Sequence, residues 1–178
     1  MEHDLKIQSY VNEKLLRNYF NKLYKINRSI LGEGFRKSLN IIGELADLNI
    51  KKVKSGKKVF DWTVPNEWNI SEAYIITPDG KKIADFKKHN LHVVNYSQPI
   101  NKTVTLDELK KNLHTIPSIP NAIPYITSYY KKDWGFCLSF NEYKKLKKGK
   151  YRVFINSKIE PGNLIYSDKL IPGKSKKE

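Results

Sequence analysis

The stretch AYIITPDGKKIADF, residues 73–86, decides the fold class of this chain. Two apolar runs with β-forming residues, 73–77 and 81–86, flank the tripeptide Pro78-Asp79-Gly80. Pro78 presets φ for the first corner of a turn, and Gly80 is free to take a positive φ. The stretch therefore predicts a β-hairpin, and with it a sheet.

The segment before this hairpin has the periodicity of two amphipathic helices. Apolar side chains within residues 11–26 recur three and four positions apart, and a second set repeats that spacing after the Gly-bearing break at 28–34. The first set is Val11, Leu15, Leu16, Tyr19, Phe20, Leu23 and Tyr24, and the second is Phe35, Leu39, Ile42 and Leu45. We expect two helices ahead of the strands.

Short β-type runs fill much of the remaining sequence. Residues 49–53 and 58–64 predict two strands, which form either one hairpin or parts of different sheets. Four further strands are predicted, the last two as a pair with each other: 91–96, 134–138, 151–155 and 164–170.

Two capping boxes predict short helices between these strands. Thr105 is followed three residues later by Glu108, and Ser139 by Glu142, so each hydroxyl and carboxylate can satisfy amides of a helix start. The prolines between residues 114 and 125 predict an irregular connection. Two helices followed mostly by strands indicate an α+β or mixed α/β unit with an insertion.

The formal net charge of +15 raises the question of nucleic-acid binding. Only four of the 33 basic residues are arginines, although the guanidinium fork is the usual reader of bases and phosphates. The lysines are spread along the chain as short pairs. This pattern favours a solvated surface, and we expect no nucleic-acid partner.

The single cysteine, Cys137, excludes an internal disulfide and a multi-cysteine metal site. Its apolar neighbours predict a buried thiol with a high pKa, although a Cys–His pair with His114 is the alternative. The first residues lack the pattern of a secretory signal, and no run of about 18 apolar residues could cross a membrane. We expect a cytoplasmic protein without a membrane partner.

Two groups of residues are candidates for a site. His89 and His92 are the closest histidines, but residues three apart in a strand point to opposite faces, which argues against a shared metal. Two aromatic clusters could either stack on a sugar, a base or a peptide side chain, or pack in a core. They are Phe60, Trp62 and Trp68, and then Tyr125, Tyr129, Tyr130 and Trp134.

Long strings of this sequence resemble one protein family. They are RSILGEGFRKSL (28–39), VFDWTVPNEWNI (59–70), NLHVVNYSQP (90–99), LHTIPSIPNAIPYITSYYKKDWGFC (113–137) and EPGNLIY (160–166). Nearly the whole chain, in the same order, resembles the N-terminal portion of bacterial aminopeptidase-like proteins, which are often encoded beside polysaccharide-biosynthesis genes.

The resemblance implies the start of a zinc-aminopeptidase-like α/β domain with an inserted, mostly β domain. It assigns residues 1–62 and 150–178 to the aminopeptidase-like domain and residues 63–149 to the insertion. It places the zinc ligands beyond Glu178, so zinc is expected in full-length relatives and not in this chain. No residue of this sequence is therefore expected to be catalytic or to bind metal.

The resulting expectation is an N-terminal fragment of a zinc aminopeptidase-like hydrolase that is inactive alone. The insertion would wall a pocket for a peptide-like or aminoacylated small substrate, and the candidate pocket residues are His114, Tyr125, Tyr129, Tyr130 and Trp134. The alternative is a stand-alone binding module that uses its aromatic, Pro-rich loop for a glycan, a peptide or a nucleic acid.

Overall fold

The computed structural model describes residues 13–173, in which helices and strands are mixed as the sequence predicts. The helices in this range are α1 (Glu13–Leu23), α2 (Glu33–Gly43), α3 (Leu106–Lys110) and α4 (Phe140–Tyr143), with a 3-10 helix at Asn90–His92. The first five strands are β1 (Asn49–Lys54), β2 (Lys58–Val59), β3 (Trp62–Thr63), β4 (Glu67–Ile76) and β5 (Lys82–Ile83). The other five are β6 (Ile100–Thr105), β7 (Leu113–His114), β8 (Phe136–Cys137), β9 (Lys150–Glu160) and β10 (Asn163–Asp168).

The two predicted amphipathic helices are confirmed as α1 and α2, although the first two residues of the predicted range, 11 and 12, lie outside the described residues. Helix α1 buries none of its side chains. It is joined to the end of α2 through Glu44, which accepts hydrogen bonds from the Tyr19 hydroxyl at 3.1 Å and from Lys22 at 3.0 Å. Leu15, Tyr19 and Leu23 of α1 are half-buried, so partial apolar burial and these polar contacts together hold the helix.

The main sheet is antiparallel, with its strands in the order β5-β4-β9-β6. Alternate residues of β9 are buried on one face, as the period of a strand requires: Tyr151, Val153, Ile155 and Ser157. That face packs in a core that also includes Trp68 and Ile75 of β4, Leu109 of α3, Phe136 of β8 and Leu138. A bulge interrupts β4 between Ile70 and Glu72.

Hydrogen bonds of the hairpin and of the capping boxes confirm three local predictions. Strands β4 and β5 pair through Ile75 and Ile83 around the Pro78-Asp79-Gly80 turn. Both boxes are complete, with each hydroxyl accepting an amide and each glutamate reaching back to the cap. Local sequence chemistry determines each of these features.

The predicted pairing of 151–155 with 164–170 is wrong. Strand β9 pairs with β4 and β6, whereas β10 pairs with β1 in a separate two-stranded ladder. The apolar face of β9 matches the buried Ala73 and Ile75 of β4, so β9 is drawn into the main core. The ladder joins Asn49 to Asp168 and Lys54 to Asn163.

Two other strand predictions and one loop prediction require correction. Phe60, at a φ of 55°, divides the predicted strand 58–64 into the hairpin β2–β3. The predicted strand 91–96 is wrong, because the His89 side chain accepts the Leu91 amide and starts a 3-10 helix there. His114, expected in an irregular connection, lies in β7, which pairs in parallel with β8.

Cys137 is fully buried, which confirms the prediction of a packed thiol. Burial raises the pKa of this thiol to about 12, so it stays protonated at neutral pH. Among residues 13–173, no helix has the length and apolar character that crossing a membrane requires.

Candidate functional site

Four aromatic rings form a chain from the core to the surface. The buried Trp68 stacks on Tyr96 at a ring-centroid distance of 6.0 Å, and Tyr96 contacts Tyr129 at 5.7 Å. Tyr129 contacts Tyr130 at 4.0 Å, and their hydrogen bond raises the pKa of Tyr129. Tyr130 is 77% exposed, so only the outer end of the chain of rings can meet a ligand.

Trp134 and His114 lie apart from these rings. The half-buried Trp134 meets Phe136 edge-on at 6.4 Å, and the Lys102 ammonium lies 5.5 Å from its ring centre. His114 is packed against Gly135, and burial lowers its pKa although Asp133 opposes the shift. Ring contacts among residues 13–173 do not join either residue to Tyr129. That the five candidate residues line one substrate pocket stays a prediction.

Tyr125 lines a small cleft of about 290 Å³. Its hydroxyl accepts a hydrogen bond from the buried Asn95 at 3.3 Å, and Asn95 in turn accepts one from Asn27 at 3.1 Å. The other walls come from the α1–α2 connection and the 3-10 helix, including Arg28, His89 and Leu91. Tyr125 is 60% exposed at the rim of this cleft.

A larger cleft of about 700 Å³ lies on the other side of Ile26 and Asn27, which line both spaces. Its walls are the α1–α2 connection, the first turns of α2, the bulge of β4 and the end of β9. Ile70 and Phe86 contribute apolar surface, while its positive charges are Lys25, Arg36, Lys37 and Lys158. Sequence analysis missed this cleft, because its residues come from distant segments and share no local motif.

An ion pair fixes one wall of the large cleft. Arg36 forms a bidentate pair with Glu67, with nitrogen–oxygen distances of 2.6 and 2.8 Å. Glu67 is buried and also accepts the Asn163 amide at 2.8 Å. The Arg36 guanidinium holds the pKa of Glu67 below its ordinary value, despite the opposing effect of burial. One carboxylate thereby ties α2 to the starts of β4 and β10.

The described residues do not fit a zinc site. In residues 13–173, no group of three or more His, Cys, Asp or Glu side chains is arranged to hold a metal ion. His89 and His92 lie with ring centres 5.9 Å apart, but His92 Nδ1 hydrogen-bonds the Cys137 carbonyl at 2.9 Å and His89 caps Leu91. Both histidines have structural partners.

The first aromatic cluster is also dispersed. Trp68 is almost fully buried and donates its indole N–H to the Ser97 carbonyl at 2.9 Å. Phe60 is fully exposed at the tip of β2–β3. A buried ring and a hairpin tip do not form one stacking platform.

One known protein family matches the part of the chain that contains most of the main sheet. The model of the family described as "Domain of unknown function (DUF2172)" matches residues 67–158, which are 92 of the 178 residues. The chain belongs to the DUF2172 family. The match begins with β4 and ends two residues before the end of β9.

A curated relative of this DUF2172 chain comes from Clostridium acetobutylicum and is named "Putative polysaccharide biosynthesis protein with aminopeptidase-like domain". The two are 51% identical over 161 residues, which cover 90% of this chain and 37% of the relative. The family resemblance seen in the sequence is thereby confirmed. This chain spans little more than a third of the relative's length.

A solved structure is also similar to the DUF2172 chain. It is the crystal structure of a "putative peptidase" from Clostridium acetobutylicum, with 53% sequence identity and a TM-score of 0.80. The match covers 84% of this chain and 36% of that one. The fold of this chain is therefore that of part of a larger peptidase-like protein.

Proposed function

We propose that this chain is the first part of a zinc aminopeptidase-like hydrolase. In this proposal, the metal ligands lie in polypeptide that corresponds to the unmatched portion of the relative, and the chain alone has no hydrolytic activity. The names of the relative and of the solved structure support the class of enzyme. The distribution of exposed apolar side chains carries the proposal.

Fourteen large hydrophobic side chains are exposed in residues 13–173, and eleven of them lie outside the proposed insertion. These eleven are Leu16, Phe20, Tyr24, Ile30, Ile42, Leu45, Ile50, Phe60, Tyr166, Leu170 and Ile171. By contrast, every member of the buried core cluster lies between Trp68 and Ile155. The flanking segments thus expose the kind of surface that further polypeptide normally covers.

The ladder of β1 and β10 supports the same proposal. Within the described residues each strand pairs only with the other, so both outer edges are unpaired. A two-stranded ladder is marginally stable alone, and open edges are usually paired or covered. We propose that strands from the rest of the hydrolase domain extend this ladder.

The segment 63–149 is proposed as the substrate-side insertion. Its exposed tyrosines, Tyr125 and Tyr130, offer ring faces to a peptide-like or aminoacylated small substrate. Tyr129, Trp134 and His114 are half-buried and would position the surrounding loop. Because the main sheet includes β9, we place the structural end of the insertion nearer residue 160 than residue 149.

Complementation tests this proposal. The chain is mixed with a separately produced polypeptide that comprises the remainder of the Clostridium acetobutylicum relative, and hydrolysis of leucyl-p-nitroanilide is measured with zinc. We expect no turnover by the chain alone, a stable complex of the two polypeptides, and turnover by the complex that a chelator abolishes. Turnover by the chain alone, or failure of the two polypeptides to associate, contradicts the proposal.

A matched pair of variants locates the interface. The double variant Leu16→Lys/Phe20→Lys places two charges on the exposed apolar face of α1 and is expected to prevent association. Asn18→Lys/Asn21→Lys adds the same charge on other exposed positions of α1 and is expected to leave association unchanged. Equal loss in both variants would show that charge alone governs association.

The exposure of Tyr125 and Tyr130 on a Pro-rich loop also favours the second candidate function, a stand-alone binding module. A module would bind a glycan, peptide or oligonucleotide saturably as the isolated chain. Titration at physiological ionic strength, followed by tryptophan fluorescence, measures this. Saturable binding that is lost in Tyr125→Ala/Tyr130→Ala, together with no association in the complementation experiment, would favour the module.

A further inference from the structure

A lysine-rich loop lies at the end of the main sheet opposite the large cleft. The sequence KKLKKGK at residues 144–150, here called the lysine loop, connects α4 to β9. It carries Lys144, Lys145, Lys147, Lys148 and Lys150, and all five are exposed. Together with the turn between β4 and β5, it borders a cleft of about 590 Å³.

The charges of this loop are not neutralised by neighbouring acids. Within residues 13–173, none of its five lysines takes part in an ion pair. Two acidic residues, Asp79 and Glu142, line the cleft, against four lysines, Lys81, Lys145, Lys147 and Lys148. Asp79 already pairs with Lys81 at 3.0 Å. The cleft therefore holds an excess of positive charge.

Two lysines on the neighbouring surface, Lys82 of β5 and Lys87 after it, show the contrast. Lys82 lies 3.5 Å from Glu72 and 3.4 Å from Asp85, and Lys87 lies 3.2 Å from Glu72. Acidic partners are thus present on the neighbouring surface but absent from the lysine loop. This distribution differs from that of a uniformly solvated face.

The backbone of the lysine loop is fixed at several points. The Tyr151 hydroxyl donates to the Lys147 carbonyl at 2.6 Å, and the amides of Lys145 and Leu146 bond back to α4. Gly149, at a φ of 153°, lies so close to Pro78 that an added Cβ would be 2.5 Å from its Cγ. The lysines therefore project from a defined support, which lowers the entropic cost of gathering them around one ligand.

The cleft has the chemistry of a small-molecule site. Its floor is apolar, with Ile83, Leu146 and Tyr151, and its rim carries Lys145, Lys147 and Lys148. In the described part of the chain, the amides of Lys147 and Lys148 form no hydrogen bond. A volume of about 590 Å³ is within the usual range for small ligands.

We infer that this cleft binds a phosphate monoester that carries an apolar moiety. Two or three lysine ammonium groups match the charge and the several acceptor oxygens of a phosphate dianion, and the apolar floor suits the attached group. A single carboxylate carries less negative charge than a phosphate dianion and would neutralise less of the positive charge of the cleft. The phosphate can belong to a soluble molecule or to a lipid headgroup.

Phenyl phosphate is the probe for a soluble ligand. It is titrated into the whole chain in 150 mM NaCl, and binding is followed by calorimetry and by the amide resonances of residues 144–151. We expect saturable binding that weakens at least tenfold in Lys145→Gln/Lys147→Gln/Lys148→Gln. The charge-matched control Lys52→Gln/Lys54→Gln/Lys57→Gln removes three exposed lysines elsewhere and should change affinity less than twofold.

Two further probes decide the chemistry and the source. Vesicles of phosphatidic acid in phosphatidylcholine, compared with pure phosphatidylcholine, test a lipid phosphate in the same variants. Lysine-loop-dependent binding to phenyl phosphate, to phosphatidic acid vesicles or to both supports the inference and identifies the source. Binding to neither, equal losses in the two triple variants, or equal binding of benzoate and phenyl phosphate overturns it.

Discussion

At the scale of single residues, Arg36 and Glu67 show how one ion pair positions three elements. Glu67 is 6% exposed and accepts bonds from both the guanidinium and the Asn163 amide, so its charge is fully partnered. Gly162 makes room for it, since a Cβ there would lie 2.3 Å from the Glu67 carboxyl carbon. Neither the pair nor the role of Gly162 follows from local sequence, because the partners are 31 and 95 positions apart.

Replacing Arg36 with methionine should destabilise the chain. The substitution leaves the buried Glu67 carboxylate without its cation, at a cost of about 2–3 kcal/mol after allowance for the partial exposure of Arg36. Urea unfolding followed by tryptophan fluorescence measures the change. Arg17→Met, which breaks an exposed pair with Glu13, is the control and should have no measurable effect. Equal stabilities of wild type and Arg36→Met would contradict the assignment.

The same pair predicts a pH dependence of stability. The pKa of Glu67 is lower in the folded chain than its ordinary value of 4.5, so its ionised form favours folding. This contribution is complete above the unfolded-state pKa and disappears as pH falls through the folded-state pKa. The difference in unfolding free energy between wild type and Glu67→Gln should therefore be largest near neutral pH and shrink below about pH 4.5. A difference that does not vary with pH would exclude this role for Glu67.

At the scale of elements, predictions succeeded where the determining chemistry is local. The capping boxes at Thr105 and Ser139 and the turn at Pro78 each depend on residues within four positions. Strand β6 was missed because INKTVT buries only Val104 and lacks a clear alternating pattern. The conformation of residues 91–96 is determined instead by the hydrogen bond from the Leu91 amide to the His89 side chain. Isolated β-bridges to Phe136 and Thr127, which are distant in sequence, also determine it.

Gly149→Ala tests the close contact between the lysine loop and the β4–β5 turn. The new methyl group would meet Pro78 and would require a φ that alanine rarely adopts, at a cost of about 1–3 kcal/mol. Thermal unfolding by circular dichroism measures the change. Gly43→Ala, at a helical position with open space, should instead leave stability unchanged or raise it slightly. Tolerance of both substitutions would show that the loop can move away from Pro78.

At the scale of the whole molecule, the main core cluster and most of the exposed large hydrophobic side chains lie in different segments. The core cluster is contained within the DUF2172 match, whereas the flanking helices and ladder bury Leu31, Leu39 and Ile165 but expose most of their other large side chains. Composition alone does not distinguish the two regions. The large cleft could not be predicted from the sequence, because it depends on the three-dimensional arrangement of distant strands.

Residues 63–160 alone should fold. Because this segment contains the complete core cluster, we expect cooperative unfolding and a native near-ultraviolet circular dichroism spectrum. Stability should be lower than that of the whole chain, since the Arg36–Glu67 pair and the contact of Leu31 with the Trp68 amide are lost. A non-cooperative transition would show that α2 and the ladder are integral to the core.

The ladder has a consequence for how such chains arise and fold. The pairing of Lys54 with Asn163 places the two ends of the 108-residue segment 55–162 about 5 Å apart, one strand spacing. A segment with adjacent ends can be inserted, deleted or exchanged as one unit during evolution, because β1 and β10 keep their positions. Once this segment has folded, pairing of β1 with β10 costs little conformational entropy, because the ends of the segment are already adjacent. The distance between the ends sets that cost, and the number of residues between them does not. We expect residues 55–162 to fold first during synthesis, and β1 and β10 to pair afterwards.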